Sequence, residues 1–343
     1  MKEITINRFR IGNTNSVFVI AEAGINHNGS LKIAKKMVDI AKHAGVSCVK
    51  FQTHIADKEM IKTNIRPGSI SKKTLWNIIK SCELSENEET KLSQYCKKQK
   101  ILFLSTPFSI EAVNRLEKLK VPAYKIGSGE LTNLPFLEYV AKTSKPIILS
   151  TGMSNNSEIK NAVKILKKHN NPYALLQTTS IYPSDYSEIK LGVIEKLQRQ
   201  FKVPIGLSDH SIGIYTAIAG VAKGASIIEK HFTLDKTMPG PDQKISLDPL
   251  ELRELVVGCN AVKQALGDSK LILKNEKPIR KFAEASVVTI KTIDKGEKFT
   301  LENITTKRPG TGDILASQFY KIIGKNAKKS IKSNKQLARA DII

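Results

Sequence analysis

Two histidines, two lysines and a set of hydroxyl and carboxyl side chains recur at one kind of place in this sequence, the last residues of short apolar runs. His210 and His231 close the seventh and eighth of these runs. If the runs are adjacent strands, about 4.8 Å apart, the two imidazoles can share one divalent ion. Imidazole suits Mn, Fe or Zn, and added water or carboxylate oxygens favour Mn or Mg. Two protein ligands leave open positions, as a catalytic metal requires; the bland alternative is a pair of hydrogen-bonded structural histidines. Lys50 and Lys125 end the second and fourth runs, with Thr106, Ser128, Ser150 and Ser208 at neighbouring ends. Ammonium groups supply charge and hydroxyls supply donors, the equipment of a site for phosphate and carboxylate. A hydrogen-bonded interior without a ligand is the alternative. Glu22 follows the first run and suits proton transfer or a sugar hydroxyl, or else an ion pair with Lys50 or Lys125. Asp242 sits in the stiff loop Pro239-Gly240-Pro241-Asp242, either a sugar-binding carboxylate or an ordinary turn aspartate.

The runs that would position these groups are VFVIAEAG (17–24), VSCVKFQT (46–53), ILFLSTPF (101–108), AYKIGSGE (123–130), PIILSTGM (146–153), YALLQTTS (173–180), PIGLSDHS (204–211) and IIEKHFTL (227–234). Apolar runs of this length between turns read as buried parallel strands. Amphipathic stretches alternate with them, among them LKIAKKMVDIAKHAG after Ser30 and SEIKNAVKILKKHN after Ser154-Asn155-Asn156, both with N-cap residues at the start. Eight strand–helix units predict an α/β protein, a closed (β/α)8 TIM barrel whose chemistry sits at the C-terminal strand ends. An open doubly wound sheet would want a dinucleotide fingerprint, and Gly127-Ser128-Gly129 lacks the third glycine. The long stretch 54–99 is expected to shape the barrel mouth.

Length agrees with this plan: 343 residues accommodate a barrel and one further small module. The expected division is a catalytic barrel over 1–267, a charged linker over 268–282, and an α+β module over 283–343 with SVVTI and EKFT as strands. The net charge of +23 raises the question of nucleic acid, yet the lysines are spread along the whole chain without interleaved aromatics and read as solvated faces. No run of about 18 apolar residues suggests a membrane span, and the N-terminus lacks the apolar core of a signal peptide; a cytoplasmic protein is expected. Four scattered cysteines, with no CxxC, read as reduced thiols.

The strings IAEAGINHNGSL (20–31), VKFQTHI (49–55), STPF (105–108), AYKIGSGE (123–130), PIILSTGM (146–153), SDHS (208–211), EKHFT (229–233), PGPD (239–242) and KRPGTGD (307–313) resemble, in order, the N-acetylneuraminate (sialic acid) synthase family. The resemblance implies a TIM barrel followed by a C-terminal antifreeze-like (SAF, β-clip) domain. It implies condensation of phosphoenolpyruvate with the open-chain aldehyde of N-acetylmannosamine, giving N-acetylneuraminate and phosphate by C–O cleavage. It further implies a divalent metal, Mn2+ first with Mg2+ or Co2+ as alternatives, on His210 and His231. Glu22 and Glu229 join the two histidines in the catalytic group. Lys50, Thr106, Lys125, Ser128, Ser150, Ser180 and Ser208 would hold phosphoenolpyruvate, and Gln52, Tyr182, Asp242 and Arg308 the aminosugar. Arg308 comes from the C-terminal domain, across a domain-swapped homodimer. Departures are Phe51, where His is frequent in the family, and Ser180, where Asn is common. They leave a 2,4-diacetamido-trideoxyhexose, the precursor of legionaminic or pseudaminic acid, as the alternative sugar. A carbohydrate- or ice-binding protein would not need the two lysines and two histidines at strand ends.

Overall fold

A computed structural model describes residues 2–66 and 73–343. By its internal contacts the chain forms two compact units, 1–267 and 268–343. The first opens with a hairpin, β1 (Ile4–Ile6) and β2 (Phe9–Ile11). The strands β3 (Phe18–Gly24), β4 (Cys48–Thr53), β5 (Leu102–Pro107), β6 (Tyr124–Ile126), β7 (Ile147–Ser150), β8 (Tyr173–Thr178), β9 (Ile205–Asp209) and β10 (Ile227–His231) follow. Among the described residues these eight make one parallel sheet in the order β5-β4-β3-β10-β9-β8-β7-β6. Its two ends, β5 and β6, lie side by side, so the sheet curls into a nearly closed TIM-type barrel. Each strand falls within its apolar run. The fourth is shorter than its run because Ser128–Glu130 turns into a single 3-10 turn.

Helices alternate with the strands on the outside: α1 (Leu31–Ala44), α2 (Ala56–Glu59), α3 (Leu75–Cys82), α4 (Glu86–Gln99), α5 (Ile110–Lys118), α6 (Leu134–Ala141), α7 (Asn156–Lys168), α8 (Gly192–Phe201), α9 (Tyr215–Ala222) and α10 (Pro249–Ala265). Their starts are written in the sequence. Ser30 caps α1, a Ser85–Glu88 capping box opens α4, and an Asn155–Glu158 box opens α7. Three helices, α2, α3 and α4, occupy the described part of the 54–99 stretch; residues 67–72 lie outside the described residues.

Period-2 alternation along each strand sorts the side chains. One set, including Val19, Ala21, Val49, Phe51 and Phe103, packs outward against helix residues such as Met37, Val38 and Leu92. The other set points inward. At the N-terminal end it is apolar: Phe18, Ile20, Cys48, Leu104, Ile148, Leu176 and Ile227 pack there with Ile4, Ile6 and Ile11 of the hairpin. The hairpin therefore plugs the barrel floor. Gly206 belongs to this packed layer, where a Cβ would meet the Ile227 carbonyl and Leu176 Cδ2 at 2.5 Å. Two residues further along each strand the inward set turns polar, and there the site lies.

The second unit begins with α11 (Glu276–Ala283), a helix where composition reads as an aperiodic linker. Its antiparallel pair β11 (Ser286–Thr289) and β12 (Ile304–Lys307) folds over Val287, Ile293, Phe299, Ile304, Ile314 and Leu337. The EKFT segment contributes only an isolated bridge, Lys298 to Asn326, rather than a strand. The four cysteines are buried free thiols. Among the described residues no helix is long and apolar enough to cross a membrane.

Candidate active site

At the C-terminal end of the barrel, a cavity of about 390 Å³ is lined by Glu22, Lys50, Gln52, Thr106, Lys125, Ser128, Ser150, Ser180, Tyr182, Ser208, His210, Glu229 and His231. Every strand contributes directly or through the residues just after it. Of the residues singled out from the sequence, only Asp242 and Arg308 are outside this lining. Asp242 stands beside it, with Oδ2 3.8 Å from His231 Nδ1. Arg308 is an exposed residue of the second unit.

Four buried charges form the centre. Lys50 Nζ lies 2.6 Å from Glu22 Oε2 and 3.7 Å from Glu229 Oε2, while Lys125 Nζ lies 3.3 Å from Glu229 Oε1. Hydroxyls complete their shells: Lys50 donates to Thr106 Oγ1 (3.0 Å), Lys125 to Ser150 Oγ (2.8 Å), and Ser208 to Glu229 Oε1 (2.9 Å). Ser128 Oγ accepts from the Gly152 amide at 3.1 Å. The ion pair offered as the alternative role of Glu22 is thus present, and it is present inside the cavity.

The two carboxylates differ. Burial pushes the Glu229 carboxyl up, but Lys125 and Lys50 outweigh it and hold the group down at about 2. Burial dominates at Glu22, and repulsion from Glu229 adds to it, so its pKa is raised despite Lys50. The lysines split likewise. Burial acts to lower both; Glu22 and Glu229 overcome it at Lys50, which is raised, whereas Lys125 ends below the usual lysine range. A buried carboxyl raised beside one held ionised is an arrangement suited to moving a proton past a fixed negative charge.

His210 and His231 face each other with ring centroids 5.6 Å apart. Burial keeps both rings neutral, His210 at about 3. The Nδ1–H of His210 donates to the Thr179 carbonyl at 2.6 Å, which leaves Nε2 with a free lone pair. Tyr182 stacks on the same ring at 4.1 Å. The Nδ1 of His231 is buried without a hydrogen-bond partner. Among the described residues no group of three or more His, Cys, Asp or Glu side chains gathers for a metal. The donor set is therefore two oriented, neutral imidazoles, one carrying an orphaned nitrogen. It fits a divalent ion whose remaining positions belong to water or substrate.

Local backbone makes room for this. Ladder register slips between Glu22 and Gly24, a bulge on β3. Gly24 takes φ +52°, and a Cβ there would lie 3.3 Å from Glu22 Oε1 and 3.4 Å from Gln52 Nε2. Two contributors escaped sequence reading. Phe108 and Met153 line the cavity, although Phe108 closes the third run in plain sight. His54, two residues beyond Gln52, carries Gln52 at its ring; its position in the VKFQTHI string was the available signal.

Residues 37–271 match the model of the NeuB family, and residues 284–343 match the SAF domain. The N,N'-diacetyllegionaminic acid synthase of Campylobacter jejuni is 42% identical, over 92% of this chain and 97% of its own. Human N-acetylneuraminate-9-phosphate synthase is 35% identical, over 92% of this chain and 89% of its own. A crystal structure of N-acetylneuraminic acid synthetase from Leptospira borgpetersenii, in complex with citrate, superposes with a TM-score of 0.74. It is 38% identical and covers 81% of this chain and 95% of its own. With its barrel, its SAF domain and this run of similarity, the chain belongs to the NeuB family and is a synthase enzyme of that type.

Proposed function

We propose that this enzyme condenses phosphoenolpyruvate with the open-chain aldehyde of an N-acylated aminosugar to give a nonulosonic acid and inorganic phosphate. The observation that carries this reading is the convergence of Lys50, Lys125 and the hydroxyls of Thr106, Ser128, Ser150 and Ser208 with Glu22, Glu229, His210 and His231 in one cavity. Lysine and hydroxyl donors hold the phosphate and carboxylate of phosphoenolpyruvate, Ser180 included. Its C3 then bonds to the aldehyde carbon, and the aldehyde oxygen takes a proton. Water adds at C2 and gives up a proton. The tetrahedral adduct breaks its C2–O bond, so the bridging oxygen leaves with phosphate. Glu22, raised by burial, carries a proton in this sequence. Glu229, held ionised, offsets the positive charge that develops at C2.

Charge balance supports a metal. The two ammonium groups are already matched by the two carboxylates, and the substrate adds at least two negative charges. A divalent ion on His210 and His231 restores the balance and, when bound, polarises the aldehyde oxygen; Mn2+ is the first choice, with Mg2+ or Co2+ next. Gln52, Tyr182 and Asp242 serve the aminosugar. Arg308 reaches its N-acyl group from a partner protomer of a homodimer. The sequence favours N-acetylmannosamine. The identity of 42% to the legionaminate enzyme, against 35% to the human N-acetylneuraminate-9-phosphate synthase, favours a 2,4-diacetamido-trideoxyhexose.

The test is incubation with phosphoenolpyruvate and a panel of aminosugars, with mass spectrometry of the products. Phosphoenolpyruvate labelled with 18O at the bridging position must deliver the label to phosphate. Label retained in the sugar acid overturns the C–O cleavage, and absence of any product with either sugar overturns the reading.

A further inference from the structure

Behind Gln52 and Glu22 runs a hydrogen-bonded chain whose far members, His54 and Glu59, the proposed reaction does not use. Glu59 of α2 holds its two carboxylate oxygens 2.9 Å from His54 Nδ1. His54 Nε2 lies 2.9 Å from Gln52 Oε1, and Gln52 Nε2 donates to Glu22 Oε1 at 2.9 Å. His54 and Glu59 are buried, and the imidazole stacks on Phe108 with centroids 4.4 Å apart and 12° between planes.

Donor and acceptor roles in this chain are constrained from both ends. Gln52 turns its amide nitrogen to Glu22 and its oxygen to His54. That oxygen accepts, and so does Glu59. Both ring nitrogens of His54 thus face acceptors, Glu59 at Nδ1 and the Gln52 oxygen at Nε2. A neutral ring with its proton on Nδ1 would offer Gln52 a lone pair. The amide would then gain by turning over, which would bring its oxygen against Glu22.

We infer that His54 and Glu59 are positioning residues: a buried ion pair that locks the Gln52 amide with its N–H groups toward Glu22 and the cavity. The inference rests on the proposed role of Glu22 and Gln52 at the aminosugar. Other ionisable groups whose charge is felt around His54 are His27 from the loop after β3, Glu89 of α4 and Asp242 from the loop after β10. Among the carboxylates of the described residues, Glu59 alone is bonded to the ring.

Three measurements on the full-length enzyme test this. First, 15N spectra of ring-labelled histidine, with His54→Phe to assign the signal, should show both His54 nitrogens carrying protons at neutral pH. A ring with one bare nitrogen overturns the inference, whether or not the enzyme turns over the sugars tried. Second, His54→Phe keeps the stack on Phe108 and removes both donors. It should lower kcat with the aminosugar by about tenfold to a hundredfold, the size of one hydrogen bond to a charged group. The KM for phosphoenolpyruvate and the thermal midpoint should change little. Unchanged kcat, or an equal loss in both substrates, overturns it. Third, Glu59→Gln keeps an acceptor but removes the negative charge beside the ring. kcat with the aminosugar should fall in the same sense as for His54→Phe while the KM for phosphoenolpyruvate holds, and an unchanged kcat overturns the inference.

Discussion

Single residues in the cavity are arranged so that each charge has a partner, and removing one should expose the cost of leaving another unpaired. Lys125→Met leaves the Glu229 carboxylate buried with only the more distant Lys50, at 3.7 Å. The expected outcome is a fall in kcat/KM for phosphoenolpyruvate of about a hundredfold or more, comparable to losing one donor to a developing charge. Steady-state kinetics with saturating sugar checks it. The histidine pair makes a second prediction. Excess chelator should abolish turnover and added Mn2+ should restore it, whereas His231→Ala should fold, judged by circular dichroism, and fail to respond to Mn2+. Full turnover in chelator would sink the metal reading.

Elements decide whether those residues meet, and the clearest example is the corner after β9. Lys230 faces outward from β10 and is completely buried; its Nζ reaches Asp209 Oδ2 at 2.8 Å and the Ser211 carbonyl at 2.6 Å. Asp209 also accepts from Thr216 at the start of α9. This buried pair ties β9, β10 and α9 on either side of His210. Lys230→Met should destabilise the fold by about 3–5 kcal/mol, the usual cost of leaving one buried charge unpaired, as read by urea unfolding. Much of this was legible beforehand. The strands are visible as apolar runs because parallel barrel strands are buried on both faces, and the polar residues stand out at their ends for the same reason. Lys230 was not singled out: alternation with Glu229 and His231 puts it on the outer face, but no spacing shows that it is buried there against Asp209. The N-terminal hairpin was missed because three-residue strands carry too little periodicity, and α11 because its apolar residues Ile279 and Phe282 stay exposed and form no buried stripe. The ring of His54 passed unremarked although its neighbours were singled out. Its role depends on Glu59, which belongs to a short helix whose place no spacing predicts.

At the scale of the molecule, acid should loosen the barrel. Burial holds the His27 imidazole down from 6.5 to about 4. Between those values the unfolded chain takes up a proton that the folded one refuses, so stability is intact above about 6.5 and is lost as pH falls toward about 4. The group contributes up to about 3 kcal/mol across that interval. Thermal midpoints measured across this range should fall with acid, and His27→Gln should flatten the slope; His210, held at about 3, acts in the same direction. The second unit makes its own prediction. Arg308→Ala should raise the KM for the aminosugar more than that for phosphoenolpyruvate, and equal effects would argue against its proposed contact.

The hairpin of Ile4, Ile6 and Ile11 fills the barrel floor, so the way into the cavity is from the C-terminal ends of the strands. Lys50 is two residues deeper along β4 than Gln52, so the anion's berth lies below the sugar's. On the proposed roles, phosphoenolpyruvate should board before the aldehyde, and product-inhibition kinetics that show random addition would argue against this stacking of the two berths.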